Sequence, residues 1–247
     1  MKIKLVIEYD GTAYSGWQTQ KGETTIQGEL ERVISSVVGE EIILYASGRT
    51  DAGVSARAQV AHFEVGDEYN FDRFHFLGSV NFFLPNDIMV KDASIAGDDF
   101  DARFTVKKKT YRYYFYLSRF ERPLFSKYLR VNDNVQVELM REACKYLVGE
   151  HDFKSFVARK SGKTNFVRTI YDARILELDD GLMAFEITGS GFLYNMVRII
   201  MGTLIKIGSG KCSPDDMKKI IEGKSRTSAG QTVSGIPLVL HDVDYGE

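Results

Sequence analysis

The loop at residues 48–53, Gly-Arg-Thr-Asp-Ala-Gly, carries residue types that could do chemistry. Its flanking glycines predict positive φ angles and close approach by a ligand. A carboxylate with an arginine two residues before it, here Asp51 after Arg49, tends to stay ionised and oriented, as nucleophilic attack at a sugar carbon requires. An Asx turn, in which Asp51 bonds only its own backbone, is the alternative that this spacing leaves open.

Arg198 is a second candidate because it lies in a segment, residues 192–205, that is apolar nearly all round. Such a helix is usually buried. A buried guanidinium without a partner is costly, so Arg198 should meet a carboxylate or a phosphate. Asn195 lies about one turn earlier on the same face and could line the same polar pocket. A purely structural ion pair explains Arg198 equally well.

The third candidate is the run at residues 107–116, Lys-Lys-Lys-Thr-Tyr-Arg-Tyr-Tyr-Phe-Tyr. Strand alternation sends Tyr111, Tyr113 and Phe115 to one face. Lysines neutralise phosphates, and aromatic rings stack unpaired bases at about 1–3 kcal/mol each. Aromatic residues also favour strands and fill cores, which is the better explanation for Tyr113 and Phe115. Tyr111, beside the lysines, is the candidate for base stacking.

The elements that must position these residues divide into two α+β halves. Residues 1–103 predict strands at 2–9, 42–46, 59–65 and 88–95 and helices at 25–39 and 72–84, a β-α-β-β-α-β order typical of the ferredoxin-like pattern. Residues 104–247 predict strands at 110–117, 167–178, 182–188 and 238–243 and helices at 138–148, 192–207 and 213–223. Two such domains, 1–103 and 104–247, imply a cleft between them.

Charge is distributed unevenly within a formal net charge of −2. Residues 1–103 hold nine Lys and Arg against seventeen Asp and Glu, whereas residues 104–247 hold twenty-three against seventeen. Residues 103–130 hold nine basic residues and one acid, Glu121. This stripe predicts a polyanion partner that docks on one face, because a merely solvated face would interleave acids with the bases.

Other counts disfavour several classes of protein. The two cysteines cannot form a disulfide framework, and the four histidines never occur at metal-ligand spacing. The N-terminus alternates like a strand, and the most apolar run, residues 196–207, is too short to span a bilayer. We therefore expect a soluble, cytoplasmic protein without a metal site.

The sequence resembles the TruA family of tRNA pseudouridine synthases through nearly the whole chain. The matching segments include Tyr-Asp-Gly-Thr at 9–12, Gly-Trp-Gln at 16–18, Thr-Ile-Gln at 25–27, residues 48–54, Gln-Val-Ala-His-Phe at 59–63, Leu-Pro-Asn-Asp-Ile at 84–88, Phe-Asp-Ala-Arg-Phe at 100–104, Lys-Thr-Tyr-Arg-Tyr at 109–113, Gly-Glu-His-Asp-Phe at 149–153 and Gly-Phe-Leu-Tyr-Asn-Met-Val-Arg at 191–198. A lone Arg-Thr-Asp would be weak evidence, but so many ordered segments are specific.

The resemblance implies roles for individual residues. Asp51 is the catalytic residue, attacking either ribose C1′ or the uracil ring. Tyr111 stacks on the target base and assists removal of its C5 proton, and Arg198 pairs with the catalytic carboxylate. Arg49 enters the RNA to help extrude the base. Thr50, Lys109 and Asn195 complete the candidate substrate-binding set.

The resemblance also implies the fold, the substrate and the partners. The fold is the α+β pseudouridine synthase fold, with two ferredoxin-like (RRM-like) halves whose antiparallel-rich sheets flank a basic cleft. The protein is a homodimer that isomerises uridines at tRNA positions 38, 39 and 40 without a cofactor or metal. Two segments depart from the family pattern: Ser55 stands where the family often has His, and residues 232–236 are altered and shorter.

Three other functions compete with this interpretation. A related pseudouridine synthase could act at other tRNA positions, which a map of targets would show. A non-catalytic RNA-binding module would share the basic stripe but would not require Asp51 and Arg198. A glycoside hydrolase needs a second carboxylate, and Glu41 is the one acid within ten residues of Asp51.

Overall fold

The computed structural model describes residues 1–66, 68–158 and 164–246. Its contacts divide the chain into two compact units: unit 1 comprises Met1–Lys107 and Val239–Glu247, and unit 2 comprises Lys108–Leu238. The sequence-based division assigned the whole C-terminus to the second half, whereas the last strand pairs with a strand of unit 1. Within the described ranges, no helix is long and apolar enough to cross a membrane.

Unit 1 has the β-α-β-β-α-β order expected from the sequence. Its elements are β1 (Lys2–Tyr9), α1 (Ile26–Val38), β2 (Tyr45–Ala46), β3 (Ser55–Glu64), α2 (Arg73–Phe83) and β4 (Ile88–Ala96). Strand β1 pairs antiparallel with β3 on one side and with β4 on the other, and β2 pairs antiparallel with β3. The α+β prediction with an antiparallel-rich sheet is confirmed for this unit.

The helix boundaries of unit 1 follow from their caps. The Gly28 amide donates to the Thr25 hydroxyl at the start of α1 (3.3 Å), and Gly39 ends that helix with a φ of +86°. The His75 amide donates to the Asp72 carboxylate at the start of α2 (2.7 Å). The sequence predicted Gly39 and Asp72, and it left the cap of α1 open between Thr24 and Thr25, of which the structure selects Thr25.

The strand predicted at residues 42–46 is reduced to β2. Side chains of α1 accept the hydrogen bonds that a longer strand would use: the Ile42 amide donates to Ser35 Oγ (2.9 Å) and the Leu44 amide donates to Glu31 Oε1 (2.9 Å). Local alternation could not reveal this competition, because it comes from a helix elsewhere in the sequence.

Unit 2 is also rich in antiparallel strands and carries helices. Its elements are β5 (Lys108–Leu117), β6 (Leu129–Val131), α3 (Val137–Cys144), β7 (Gly149–Asp152), β8 (Val167–Glu177), β9 (Leu182–Gly189), α4 (Met196–Gly208) and α5 (Asp216–Glu222). The last strand, β10 (Leu238–Asp244), belongs to unit 1 from Val239 onward and runs parallel to β3. The strand order is β6-β5-β9-β8-β7, and the β5–β6 pair alone among these is parallel. Strands β6 and β7 were missed because such short strands carry little periodicity.

The predicted helix at residues 192–207 begins later, at Met196, because Asn195 has a φ of +61° and cannot belong to a right-handed helix. The helix predicted at residues 138–148 ends at Cys144 and continues as one tighter turn, Lys145–Leu147. Helix α4 packs against α3 and β5, and most of its residues are buried, as its apolar sequence predicted.

His62 makes the stability of unit 1 depend on pH. It lies buried in β3, and its Nδ1 accepts a hydrogen bond from the Ala102 amide (3.1 Å), which requires an unprotonated nitrogen. Burial lowers the pKa of His62, so the unfolded chain takes up a proton more readily than the native protein does. This contribution to stability is therefore present above about pH 6.5 and is lost as the pH falls through the lowered native pKa.

We expect the free energy of unfolding of the wild-type protein to fall between pH 7.5 and pH 5. In His62→Gln, whose amide does not titrate, the fall should be smaller. Urea titrations of both proteins at the two pH values measure the difference. Equal pH dependence in the two proteins would contradict this role for His62.

Candidate active site

The loop at residues 48–54 lies directly against the backbone that follows β1. A Cβ atom on Gly11 would stand 2.1 Å from the Val54 carbonyl oxygen, and one on Gly16 would stand 2.8 Å from the Thr50 carbonyl oxygen. Gly16 also has a φ of +94°, which L side chains disfavour. The loop can therefore keep this position only with glycine at both sites.

Hydrogen bonds fix the same contact. The Trp17 amide donates to the Thr50 carbonyl oxygen (3.1 Å), and the Gly53 amide donates to the Tyr14 carbonyl oxygen (3.3 Å). The side chain of Thr50 is buried, with its hydroxyl 2.8 Å from the hydroxyl of Tyr9. Burial raises the pKa of Tyr9, which keeps that hydroxyl protonated and available for the bond. The loop is thus anchored on both sides of Asp51.

The three candidate residues of this loop differ in exposure. Thr50 is buried and anchors the loop, Asp51 is half-buried, and Arg49 is exposed. The Val54 amide donates to the carbonyl oxygen of Asp51 (3.1 Å), so a backbone turn follows the carboxylate. This arrangement holds the main chain of Asp51 rigidly and presents Arg49 to solvent.

The two glycines that flank the loop behave differently. Gly53 has a φ of +78°, as predicted, whereas Gly48 does not have a positive φ. The carbonyl oxygen of Gly48 accepts a hydrogen bond from Gln59 Nε2 (2.9 Å), and Gln59 Oε1 accepts one from Ser47 Oγ (2.7 Å). The start of the loop is therefore fixed by a buried glutamine on β3.

Ser55, which departs from the family pattern, supports the same region. Its hydroxyl accepts a hydrogen bond from the Gly11 amide (3.0 Å), and Gly11 is the residue that packs on Val54. The sequence analysis included Gly11 and Gly16 in segments that match the family but did not identify them as supports of residues 48–54. The clustering of glycines after β1 was the available signal.

In unit 2, Arg198 is oriented by two oxygen acceptors. Its Nη1 donates to Asn195 Oδ1 (2.6 Å), and its Nε donates to the Val233 carbonyl oxygen (2.8 Å). The side chain of Asn195 bonds Arg198 and does not cap the first amides of α4. The structure thus brings together these two predicted residues, and a positive φ at Asn195 directs its amide toward the guanidinium.

The altered segment at residues 232–236 belongs to this arrangement. The Ser234 carbonyl oxygen accepts a hydrogen bond from the Tyr113 hydroxyl (2.9 Å), next to the Val233 carbonyl that Arg198 contacts. Tyr113 is fully buried, as its core assignment predicted. This C-terminal segment therefore supplies a backbone acceptor that orients Arg198.

Tyr111 is nearly covered, with 9% of its surface exposed. Its ring meets Phe192 edge-on, with 5.1 Å between ring centroids. Lys109, on the same face of β5, is half-buried, and Lys108 is exposed with its ammonium 5.8 Å from the ring centroid of Tyr171. Unit 2 thus carries Lys109, Tyr111, Asn195 and Arg198, and unit 1 carries the three loop residues.

Comparison with known proteins identifies the family. A family model described as tRNA pseudouridine synthase matches residues 5–105 and 143–246. A Bacillus subtilis protein named tRNA pseudouridine synthase A is 45% identical over 254 residues, covering 99% of this chain and 99% of that protein. Proteins of the same name from Caldicellulosiruptor bescii and Acetivibrio thermocellus are each 43% identical over 244 residues, covering 98% of this chain and 99% of theirs. The chain therefore belongs to the tRNA pseudouridine synthase family.

Proposed function

We propose that this tRNA pseudouridine synthase isomerises uridine at positions 38, 39 and 40 of the anticodon stem-loop, with Asp51 as the nucleophile. The observation that carries the proposal is the anchored loop at residues 48–54, in a chain of this family. Close backbone packing and hydrogen bonds on both sides fix the main chain of Asp51. Holding a reacting group in place lowers the entropic part of the barrier.

The reaction balances without another reactant. The bond between uracil N1 and ribose C1′ breaks, a bond between C5 and C1′ forms, the C5 proton leaves and N1 gains a proton. No electron moves to or from a second molecule, so the proposal includes no redox cofactor and no metal. Asp51 forms the temporary bond to the substrate, at C1′ or on the ring.

The remaining candidates bind and orient the substrate. Arg198, held by Asn195 and the Val233 carbonyl, orients the catalytic carboxylate, as the family resemblance implies. The target base must leave its stack, at a cost of a few kcal/mol, and Tyr111 offsets this cost by stacking on it. Exposed Arg49 helps displace the base, Thr50 holds the loop, and Lys109 neutralises phosphate.

We further propose a cytoplasmic homodimer. Phe74, Gly78 and Phe82 lie at i, i+4 and i+8 on the exposed face of α2, and an apolar stripe of this kind is typical of interaction surfaces. Light scattering of the purified protein should give twice the 28.0 kDa chain mass. A monomer at micromolar concentration would refute this part of the proposal.

The test of the function is a map of modified positions. Purified protein, with no cofactor added, is incubated with an unmodified tRNA transcript that carries uridine at positions 38–40, and pseudouridine is detected by carbodiimide-dependent primer-extension stops. The matched control transcript carries cytidine at these positions. Stops at 38–40 that vanish in the control support the proposal, whereas stops elsewhere support the related synthase with other targets. Binding without any modification would favour the RNA-binding module.

A further inference from the structure

Arg168, near the start of β8, differs from the other arginines of the unit 2 sheet. Those on β5 and further along β8, Arg112 and Arg174, both pair with buried Glu186, at 2.6 Å each. Arg168 is half-buried, and among the described residues the one hydrogen bond of its side chain goes from Nη1 to the neighbouring Val167 carbonyl oxygen. In the described part of the chain no carboxylate lies within ion-pair distance of it, and residues 159–163, Arg-Lys-Ser-Gly-Lys, contain no acid.

This environment is unfavourable for a guanidinium. Burial lowers the pKa of Arg168, and no opposing charge within residues 1–66, 68–158 and 164–246 offsets that effect. An arginine does not relieve the cost by losing its proton, because its pKa lies far above neutrality. An anionic ligand would restore the interactions that burial removes, and guanidinium groups bind phosphate with two parallel hydrogen bonds.

The strand register places Arg168 on the face of the sheet that carries Tyr111. Lys109 pairs with Gly189, and Gly189 pairs with Ile170, so these three residues share a face. Side chains alternate along a strand, which puts Tyr111 on this face with Lys109, and Arg168 with Ile170. Two strand spacings of about 4.8 Å separate β5 from β8, or roughly 10 Å across the sheet. The register also places Arg168 four residues further along the strands than Tyr111, or roughly 13 Å.

The two glycines beside this surface differ in what surrounds them. The space over Gly189 is filled, because a Cβ atom there would stand 2.8 Å from Ile170 Cδ1 and 3.4 Å from the ring of Phe192, the residue that contacts Tyr111. A Cβ atom on Gly191 would lie 4.0 Å from Arg168 Nε. The guanidinium therefore lies beside a backbone without side chains, which a ligand backbone can approach closely.

We propose that Arg168 binds a phosphodiester of the tRNA strand adjacent to the uridine that stacks on Tyr111. This inference rests on the proposed function, because it uses the same substrate and the same side of the sheet. The half-buried position gives one fixed phosphate contact, in contrast to the mobile contacts of exposed lysines such as Lys108. Arg168 is thus a substrate-positioning residue that the motifs did not single out.

The experiment uses a synthetic anticodon stem-loop in which one phosphodiester at a time is replaced by an uncharged methylphosphonate. Affinity is measured with Asp51→Asn protein, to prevent turnover, with and without Arg168→Ala. We expect Arg168→Ala to weaken binding about tenfold and to lower the slope of log affinity against log salt by about 0.7, the value for one contact to a single strand. Arg168→Lys should keep the slope and recover part of the affinity.

At one position of the series, the methylphosphonate should weaken RNA binding by the Asp51→Asn protein. The same methylphosphonate should not change the affinity of the protein that also carries Arg168→Ala. The control variant is Arg32→Ala, which removes the same charge from an exposed pair with Glu29 and should change neither the affinity by more than twofold nor the methylphosphonate pattern. Thermal unfolding of each variant identifies any that does not fold. If Arg168→Ala does not fold, the test rests on the methylphosphonate series measured with Asp51→Asn protein that keeps Arg168.

The two proposals fail in different ways. If wild-type protein modifies the tRNA but Arg168→Ala keeps both its affinity and its salt slope, the phosphate contact is refuted and the function stands. If Arg168→Ala changes the dimer mass and leaves the methylphosphonate pattern intact, the anion is a carboxylate of the partner subunit and the RNA contact is refuted. If wild-type protein modifies no uridine, the proposed function fails first.

Discussion

Asp51→Asn is expected to reduce kcat/KM for tRNA below about one ten-thousandth of the wild-type value, because removal of a nucleophile leaves only the catalysis that binding provides. The substitution keeps the size of the side chain and removes its charge. The bonds that anchor the loop come from the Thr50 side chain and from backbone groups, so they persist. The measurement is single-turnover pseudouridine formation, together with tRNA affinity, which should change less than tenfold.

Asp92→Asn is the matched control for this variant. It makes the same substitution in unit 1 at a half-exposed carboxylate that pairs with Arg73, and a pair near the surface contributes about 0–1 kcal/mol. We expect its activity to stay within twofold of wild type. Full activity in Asp51→Ala as well as Asp51→Asn would refute the nucleophile assignment, whereas loss of tRNA affinity in parallel with activity would indicate a binding role.

The helix boundaries of unit 1 could be read from the sequence because local chemistry decides them. Thr25 and Asp72 accept hydrogen bonds from the first turns of their helices, and Gly39 adopts the left-handed conformation that ends one. The strand at 42–46 could not be read, because α1 side chains take its amides. Partners remote in sequence decide that outcome, and no local pattern records them.

In the candidate site, too, some features followed from the local sequence and others depended on partners remote in sequence. Asp51 and Arg198 stood out because a carboxylate between glycines and an arginine in an apolar helix are each unusual. The partnership of Asn195 with Arg198 followed from helical spacing, although Asn195 proved to precede the helix. The hydrogen bond from Arg198 to the Val233 carbonyl oxygen could not be predicted from the sequence. Every residue type supplies a backbone carbonyl, and only the fold brings this one close to Arg198.

Gly202→Ala is expected to disturb this support of Arg198 strongly. Helix α4 crosses the C-terminal segment at Gly202, where an added Cβ would stand 2.0 Å from the Gln231 carbonyl oxygen. Neither partner is the end of a flexible side chain, so one backbone must move. The Gly230 amide, which donates to Thr203 Oγ1 (2.8 Å), and the Val233 carbonyl, which orients Arg198, lie on the segment that would shift.

We expect Gly202→Ala to lower the free energy of unfolding by about 2–3 kcal/mol, the range of an overpacked core site. A shift of the Val233 carbonyl by about 1 Å should also reduce kcat about a hundredfold in protein that remains folded. Urea unfolding and single-turnover assays below the melting temperature measure the two effects separately. The activity loss should exceed what the unfolded fraction explains, because the displaced acceptor changes the orientation of Arg198.

Ser36→Ala provides the control, since Ser36 is an exposed residue of α1 that lies outside the candidate site and the proposed interface. Alanine there should stabilise the protein by up to about 0.5 kcal/mol, because it has the higher helix propensity, and activity should not change. If Gly202→Ala were as stable and as active as Ser36→Ala, the C-terminal segment would have to adapt freely, and its carbonyl could not be what orients Arg198. If Gly202→Ala lost stability but kept a normal kcat, the close contact of Gly202 with Gln231 would matter only for stability. The proposed link between the C-terminal segment and catalysis would then be wrong.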